Sequence, residues 1–220
     1  MSLMVQIVGC LLGMTLMTGC GGPSYEGSVS HGDQDSTWTM YASSHPAYVA
    51  PDDADIESYV EDAQYRWRND ADGDGKDNEQ DVSVGVLFTY VAPCQSFPSP
   101  WAADKYNTIS APEDRDALMR ADDIPQWILF VQEAPDDSGW GLTGAARVLL
   151  PDVCAREGAV YAHEFGHNSG LNHRYERSDD ALSSHVSIMM DGSDAIPADD
   201  LQFANPDERD TMRRWTFTPP

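Results

Sequence analysis

The chain has 220 residues, of which 37 are acidic and 13 are basic, so its formal net charge is −24. A surface of this sign repels polyanions, which argues against nucleic acid or an anionic membrane surface as a binding partner. The length is sufficient for one domain with a sizeable hydrophobic core.

The N-terminal segment 1–20 has no charged side chain and is largely apolar. An apolar stretch this short that ends in small residues is typical of a secretory signal and not of a membrane span. Gly19-Cys20 followed by Gly21 resembles the bacterial lipoprotein cleavage box, in which the cysteine becomes the lipidated first residue. We therefore predict an extracytoplasmic protein. It is either a cell-envelope lipoprotein that meets the membrane only through Cys20, or a secreted protein cleaved nearby.

Residues 21–50 are rich in Gly, Ser, His and Asp and show no sustained apolar period, which predicts a tether or a short pro-segment. We expect the folded domain to occupy residues 51–220. Its first element is an amphipathic helix over residues 52–68. The apolar positions of this helix recur at steps of three and four residues: Ile56, Tyr59, Val60, Ala63 and Trp67.

An Asp-rich loop follows this helix. Asp70, Asp72, Asp74 and Asp81 occupy positions one, three, five and twelve of the loop, and Gly75 occupies position six. Hard oxygen donors at this spacing wrap a calcium ion, and the segment resembles a single dockerin-type calcium loop. Two interpretations stay open, a structural calcium site and a solvated acidic loop.

Strands and helices alternate through the middle of the chain. Residues 81–91 and 124–132 are rich in valine and aromatic side chains, which predicts strands, and residues 112–122 have the pattern of a helix. Residues 141–150 are predicted to form a further strand, followed by a helix from about Glu157. This order predicts a mixed α/β (α+β) fold, in which helices pack on a twisted sheet.

Four residues, His163, Glu164, His167 and His173, form the most informative pattern of the sequence. The first two histidines are four residues apart, so on a helix both rings can reach one metal ion. Gly170 can adopt a backbone conformation closed to other residues, and we expect it to end the helix and redirect the chain toward His173. Three protein ligands leave one position for water, which is typical of catalytic zinc. A structural zinc site usually closes all four positions and uses cysteines.

This pattern resembles the signature of the metzincin clan of zinc-dependent endopeptidases, HExxHxxGxxH followed by a turn with a methionine beneath the metal. Ser187-Ile188-Met189 has the form of that turn, with Met189 as the expected methionine and Met190 as the alternative. Within the clan, residues 140–173 are most similar to bacterial adamalysin/reprolysin-like members.

The resemblance implies a metzincin-like architecture around the metal site. It consists of a sheet with an antiparallel edge strand, an active-site helix, and a small C-terminal subdomain closed by a helix. We place the edge strand at residues 141–146, where a peptide substrate would attach by backbone hydrogen bonds. The closing helix is expected at residues 205–215, with Asn205 as its cap.

The functional prediction is a zinc endopeptidase that hydrolyses peptide bonds of proteins or peptides outside the cytoplasm. His163, His167 and His173 hold the zinc ion, Glu164 is the general base, and the protein acts as a monomer. The alternative is a non-catalytic surface lipoprotein that keeps this fold as a binding module.

Two cysteines, Cys94 and Cys154, remain after the N-terminal segment. In an exported chain a pair of cysteines is expected to form a disulfide. The alternative is two buried thiols.

Overall fold

The computed structural model describes residues 36–67, 86–124, 127–135, 138–142, 146–173, 186–189, 202–204, 208–209 and 211–212. Several predicted features lie outside these residues: Cys20 with the signal segment, Met190, and the possible calcium ligands Asp70, Asp72, Asp74 and Asp81. Lipidation and calcium binding therefore stay predictions.

The described residues form a mixed α/β fold, as the sequence predicts. The strands are β1 (Ser36–Met40), β2 (Ala42–Ser44), β3 (Val86–Tyr90), β4 (Gln95–Ser96), β5 (Ile128–Val131), β6 (Trp140–Gly141), β7 (Val148–Pro151), β8 (Val186–Ser187) and β9 (Gln202–Phe203). The helices are α1 (Asp53–Arg66), α2 (Pro112–Met119) and α3 (Gly158–Asn168), with a 3-10 turn at Asp104–Tyr106. None of the described helices is long and apolar enough to span a bilayer.

Five strands form the main sheet in the order β4-β2-β5-β7-β6. All neighbours in it are parallel except β6, which runs antiparallel to β7 and lies at the edge. Two smaller parallel pairs complete the fold, β1 with β3 and β8 with β9. The predicted antiparallel edge strand is therefore present.

The main sheet has two apolar faces, because alternate residues of a strand point to opposite sides. Ile128 and Phe130 of β5 join a cluster that includes side chains of α1 and α3, and we call this side the α1/α3 face. Leu129 and Val131 join a second cluster that includes side chains of α2, and we call this side the α2 face. The sheet is thus buried on both sides, which explains the near-continuous apolar sequence of its central strands.

Helix α1 confirms the predicted amphipathic helix. The Asp52 side chain accepts a hydrogen bond from the backbone N–H of Asp55 at 2.9 Å, which caps the first turn. Helix α2 begins at Pro112 as predicted and ends at Met119, three residues before the predicted end. Pro112 suits the first turn because a helix needs no N–H donor there.

The prediction that residues 21–50 form a tether was wrong for residues 36–50. This segment contains β1 and β2, and Trp38, Met40 and Tyr48 are buried in the core. Strands β1 and β2 are rich in small and hydroxyl side chains, so their composition is similar to that of a tether. The folded domain therefore begins before residue 51.

The single strand predicted at residues 141–150 is instead the hairpin of β6 and β7. Trp140 pairs with Leu149 and Gly141 pairs with Val148, and the Leu142 N–H donates to the Arg147 carbonyl at 3.0 Å. The edge strand predicted at residues 141–146 is accordingly shorter and begins at Trp140. A run of apolar and small residues does not by itself distinguish one strand from two antiparallel strands joined by a turn.

The predicted disulfide is not present, because both Cys94 and Cys154 are thiols. The Cys94 sulfur lies 4.0 Å from the carbonyl oxygen of Gln95, and its backbone N–H donates to Asp53 at 2.8 Å. Cys154 is buried in the turn after β7. Burial raises the pKa of the Cys94 thiol.

The C-terminal part of the chain is described only in short pieces. Residues 208–209 and 211–212 are helical, and Met212 is buried in the core. The rest of the helix predicted at residues 205–215, including Asn205, lies outside the described residues. The backbone N–H of Ala204, which follows β9, donates to the Arg66 carbonyl at 3.0 Å and joins this region to the end of α1.

Candidate metal centre

Helix α3 carries two of the three histidines and is held by aromatic side chains of the α1/α3 face. The Phe165 ring lies 5.0 Å from that of Phe88 and 6.3 Å from that of Trp127, both in edge-on orientation. At the start of the helix, the Tyr161 hydroxyl donates to the Ala155 carbonyl at 3.0 Å. Packing of this kind fixes both the rotation and the axial position of the helix.

The C-terminal turn of α3 brings the third histidine back toward the helix. Gly170 has a φ of +95°, in the left-handed region that favours glycine. Its N–H donates to the His167 carbonyl at 2.9 Å, and the N–H of Leu171 donates to the Gly166 carbonyl at 3.1 Å. These two bonds form a Schellman motif. The predicted role of Gly170 is confirmed.

The three predicted histidines converge on one point. The Nε2 atom of His173 lies 3.1 Å from Nε2 of His163 and 3.0 Å from Nε2 of His167. The three ring centroids are 4.7 to 5.0 Å apart. The three ligand atoms all lie within 4.8 Å of one another, so this cluster could hold a metal ion.

Backbone carbonyls determine which nitrogen of two rings faces that point. His163 Nδ1 lies 2.7 Å from the carbonyl oxygen of Ile188, and His167 Nδ1 lies 2.8 Å from that of Leu171. A carbonyl oxygen only accepts, so each Nδ1 carries the hydrogen and each Nε2 presents a lone pair. This is the usual environment of metal-binding histidines, in which the second ring nitrogen donates to a protein oxygen.

The surroundings of these rings keep them uncharged. Burial, with smaller contributions from His167 and His173, lowers the pKa of His163 well below its ordinary value. Burial is also the main cause that lowers the pKa of His167 to about 4, against the opposing hydrogen bond to Leu171. Both rings are therefore neutral at pH 7, which is the form that binds a metal.

Two of the three nitrogen separations are close to those of a tetrahedral zinc site, and all three lie within 4.8 Å. Zinc–nitrogen bonds of about 2.0 to 2.1 Å at tetrahedral angles place ligand nitrogens about 3.3 Å apart. The two Nε2 distances of 3.0 and 3.1 Å are within a few tenths of an ångström of this value. Imidazole nitrogens also suit copper, iron and nickel, so the donor set alone does not specify zinc.

Met189 lies beneath helix α3, which we call the metal helix because it carries His163 and His167, as the resemblance implies. The side chain is fully buried, and a β-carbon added at Gly166 would overlap its sulfur atom. The ring of Trp67 lies against the same glycine, and its indole N–H donates to the Ala162 carbonyl at 2.8 Å. Gly166 stands between His163 and His167 in the helix, so Met189 and Trp67 support the segment that carries both rings.

Glu164 is buried and lies beside the edge strand β6. A β-carbon added at Gly139 would be 2.8 Å from Oε1 of Glu164, and one added at Gly141 would be 3.0 Å from Oε2. The carboxylate therefore stands against the part of the sheet at which the resemblance places a peptide substrate. The backbone of the two glycines forms one wall of its surroundings.

Sequence reasoning missed the groups that orient the predicted ligands. These include the carbonyls of Ile188 and Leu171 and the Asn168 side chain, which donates to the carbonyls of Leu142 at 3.2 Å and Arg147 at 3.0 Å. Backbone carbonyls leave no signature in a sequence. The Gly139-Trp140-Gly141 alternation does leave one, because glycines two residues apart on a strand free one face of it for close approach.

Comparison with known proteins gives distant structural similarity only. No family model matches the chain, and no curated protein matches it. One similar solved structure is described as a chaperone-substrate complex, with 13% identity and a TM-score of 0.44; the alignment covers 82% of this chain and 34% of that chain. Another is metalloproteinase-II from Bacteroides fragilis, with 13% identity and a TM-score of 0.42, covering 84% of this chain and 54% of that chain. The chain thus spans less than two thirds of the length of either structure.

Proposed function

We propose that this protein is a zinc-dependent endopeptidase that acts outside the cytoplasm. The observation that carries the proposal is the convergence of His163, His167 and His173 with two of their tautomers fixed by backbone carbonyls. His163 and His167 each present an Nε2 lone pair toward Nε2 of His173, and a cation at their common point would bind all three nitrogens. The HExxHxxGxxH spacing and the buried Met189 support the same assignment.

A bound zinc ion would supply Lewis acidity and lower the pKa of a coordinated water to about 7. Glu164 accepts a proton from the water that attacks the scissile carbonyl carbon. As the new C–O bond forms and the C–N bond breaks, Glu164 returns this proton to the departing amine nitrogen. His163, His167 and His173 provide the three nitrogens that would hold the ion.

The edge strand β6 is the proposed docking site for the substrate backbone. In the antiparallel pair of β6 and β7, residues alternate between those bonded across the pair and those whose backbone groups point outward. The Leu142–Arg147 bond sets this alternation and directs the backbone groups of Gly141 away from β7. The same alternation, continued one residue beyond the start of β6, directs those of Gly139 outward as well. An extended peptide can add to this edge as a further strand.

Export and the state of the protein in solution are part of the proposal. The uncharged segment 1–20 and the Gly19-Cys20 box support export, with Cys20 as a possible lipid anchor. The net charge of −24 favours a monomer through self-repulsion and argues against nucleic acid as a partner.

Two variants test the proposal. Glu164→Gln should keep about one zinc ion per chain and lose casein hydrolysis by about 100- to 10,000-fold, the range that a positioned base contributes. His173→Ala should lose both zinc and hydrolysis. Metal content is measured by elemental analysis and hydrolysis by peptide release, with a chelator-treated and zinc-restored sample as the control.

Wild-type hydrolysis in the Glu164→Gln variant would contradict the assigned base. Tight zinc binding without hydrolysis of casein, gelatin or a peptide library by the unmodified chain would favour the non-catalytic surface lipoprotein. A chain that holds no transition metal would contradict the proposed endopeptidase.

A further inference from the structure

The positions of Gly139 and Gly141 relative to Glu164 carry an inference beyond the motif itself. Gly139 immediately precedes the edge strand β6 and Gly141 ends it, and a β-carbon added at either glycine would point toward Glu164 of α3. The residue between them, Trp140, packs on the α2 face with the guanidinium of Arg115 3.9 Å from its ring. This segment therefore has a packed side chain, Trp140, on the α2 face and no side chain on the face toward α3.

The Glu164 carboxylate lies against the face that has no side chain. A β-carbon at Gly139 would lie 2.8 Å from Oε1 and 3.2 Å from Cγ of Glu164, closer than ordinary carbon contacts allow. A β-carbon at Gly141 would overlap the carbonyl oxygen of Glu164 and lie 3.0 Å from its Oε2. If residues 139 and 141 were not glycines, their β-carbons would therefore crowd both carboxylate oxygens of Glu164.

We propose that Gly139 and Gly141 are positioning residues for the general base. Their missing side chains create the space in which the Glu164 carboxylate stands beside the substrate-binding edge. This inference rests on the proposed function for the role of Glu164. The two glycines bring the base next to their own outward-facing backbone groups, to which the substrate backbone is proposed to bind.

The two glycines differ in what a substitution would disturb. At Gly139 the three atoms nearest to the added β-carbon all belong to side chains, those of Glu164 and Cγ1 of Val160 at 2.9 Å, and side chains can rotate away. At Gly141 it meets the backbone of α3 and Cβ of His167 at 2.8 Å, which cannot move without displacing the helix. Asn168 ties the hairpin to α3 and resists such a displacement. Gly139→Ala is therefore the discriminating variant, because it displaces the carboxylate and keeps the fold.

The test compares the zinc-loaded full chain with its Gly139→Ala variant in casein or peptide hydrolysis. We expect kcat to fall about 100-fold, the effect of displacing a reacting group by about 1 Å. KM should change less than about threefold, because the outward backbone groups of residue 139 are unchanged. Zinc stoichiometry should also be unchanged, since the three atoms nearest to the added β-carbon belong to Glu164 and Val160 and not to the histidines.

Two double variants separate positioning from packing. Gly139→Ala/Val160→Ala removes the valine contact, so it should recover thermal stability without recovering kcat. In a Glu164→Ala background, Gly139→Ala should cause no further loss of the residual activity. It should also lower the melting temperature of the metal-free protein less than it does in the wild-type background, because the colliding carboxylate is gone.

Three results would overturn the inference. They are a kcat of Gly139→Ala within about threefold of the wild type, recovery of kcat by Val160→Ala, or equal losses of melting temperature with and without Glu164. The melting temperatures do not depend on activity. They therefore test the contact between residue 139 and Glu164 even if Glu164→Gln shows that the proposed function is wrong. If Gly139→Ala alone does not fold, its folding in the Glu164→Ala background supports the inference, and failure there contradicts it.

Discussion

The two faces of the main sheet use their buried polar groups differently. On the α1/α3 face, polar contacts act on the metal helix: the Trp67 indole donates to the Ala162 carbonyl, and the Ile188 carbonyl accepts from His163. On the α2 face, the buried guanidinium of Arg147 donates to the carbonyls of Leu118, Ala121 and Ile124, which follow or end α2. The first set orients ligands, and the second completes the hydrogen bonding of a helix end. Substitutions on the two faces should therefore separate metal binding from stability.

The largest effect is expected from truncating one large side chain on each face. Phe165→Ala and Leu149→Ala both remove fully buried side chains, and each should lower the free energy of unfolding by about 2 to 5 kcal/mol. Phe165 adjoins Glu164 in α3, so its loss should also weaken zinc binding at least about tenfold, because the helix loses the rings that fix its rotation. Leu149→Ala should leave zinc affinity unchanged.

Urea unfolding of the metal-free chain and zinc titration against a competing chelator measure the two quantities. Equal losses of zinc affinity in both variants would show that the faces are not separable.

A smaller loss is expected from Arg147→Met on the α2 face. The variant leaves the carbonyls of Leu118, Ala121 and Ile124 without their charged donor, which should cost about 2 to 3 kcal/mol of unfolding free energy. Zinc affinity should not change, because the backbone carbonyl of residue 147 remains available to Asn168. Arg147→Lys is the control, since it keeps the charge but cannot reach three carbonyls with one planar group. A fall in zinc affinity for Arg147→Met would contradict the division between the faces.

The sequence predicted the α1/α3 face of the site better than its surroundings. His163, His167, Gly170 and Met189 act through local spacing, which a sequence records directly, and the structure places all four as expected. The contact of Glu164 with the edge strand joins residues far apart in the chain. It depends on how α3 packs on the sheet, which spacing does not encode.

Two errors about the fold, the tether predicted at residues 21–50 and the predicted disulfide, came from inferring structure from composition. Trp38 and Met40 are buried and Thr37 and Thr39 are exposed, so β1 has the period of a strand, but its small and hydroxyl neighbours gave the segment the composition of a tether. The predicted disulfide assumed that two cysteines in an exported chain would meet. The structure places Cys94 and Cys154 against one core cluster as thiols. Composition indicates a compartment and does not specify a contact.

Acidification should destabilise the metal-free protein through the α1/α3 face. The pKa of His167 in the folded chain is about 4, whereas a histidine of an unfolded chain titrates near 6.5. Between these values the unfolded state binds a proton that the folded state does not, so stability is present above about pH 6.5 and is lost as the pH falls toward 4. The lowered pKa of His163 acts in the same direction.

The melting temperature of the metal-free chain should therefore fall between pH 7 and pH 5.5, a range above the titration of ordinary carboxylates. His167→Gln, which cannot titrate, should show a smaller decline. The same decline in both proteins would assign the pH dependence to other groups.

The smallest expected effect comes from exchanging one indole for a phenyl ring on each face. Trp67→Phe removes the donor to the Ala162 carbonyl and should cost about 1 kcal/mol of unfolding free energy. It should also raise the dissociation constant for zinc, because Ala162 immediately precedes His163.

Trp140 is the matched position near the site, and its indole nitrogen is buried with no hydrogen-bond partner among the described residues. Trp140→Phe should therefore be neutral or slightly stabilising, with zinc affinity unchanged, since removing a buried donor that makes no bond relieves a desolvation cost. If zinc titration gave the two variants the same dissociation constant, the hydrogen bond from Trp67 would have no part in holding the metal helix.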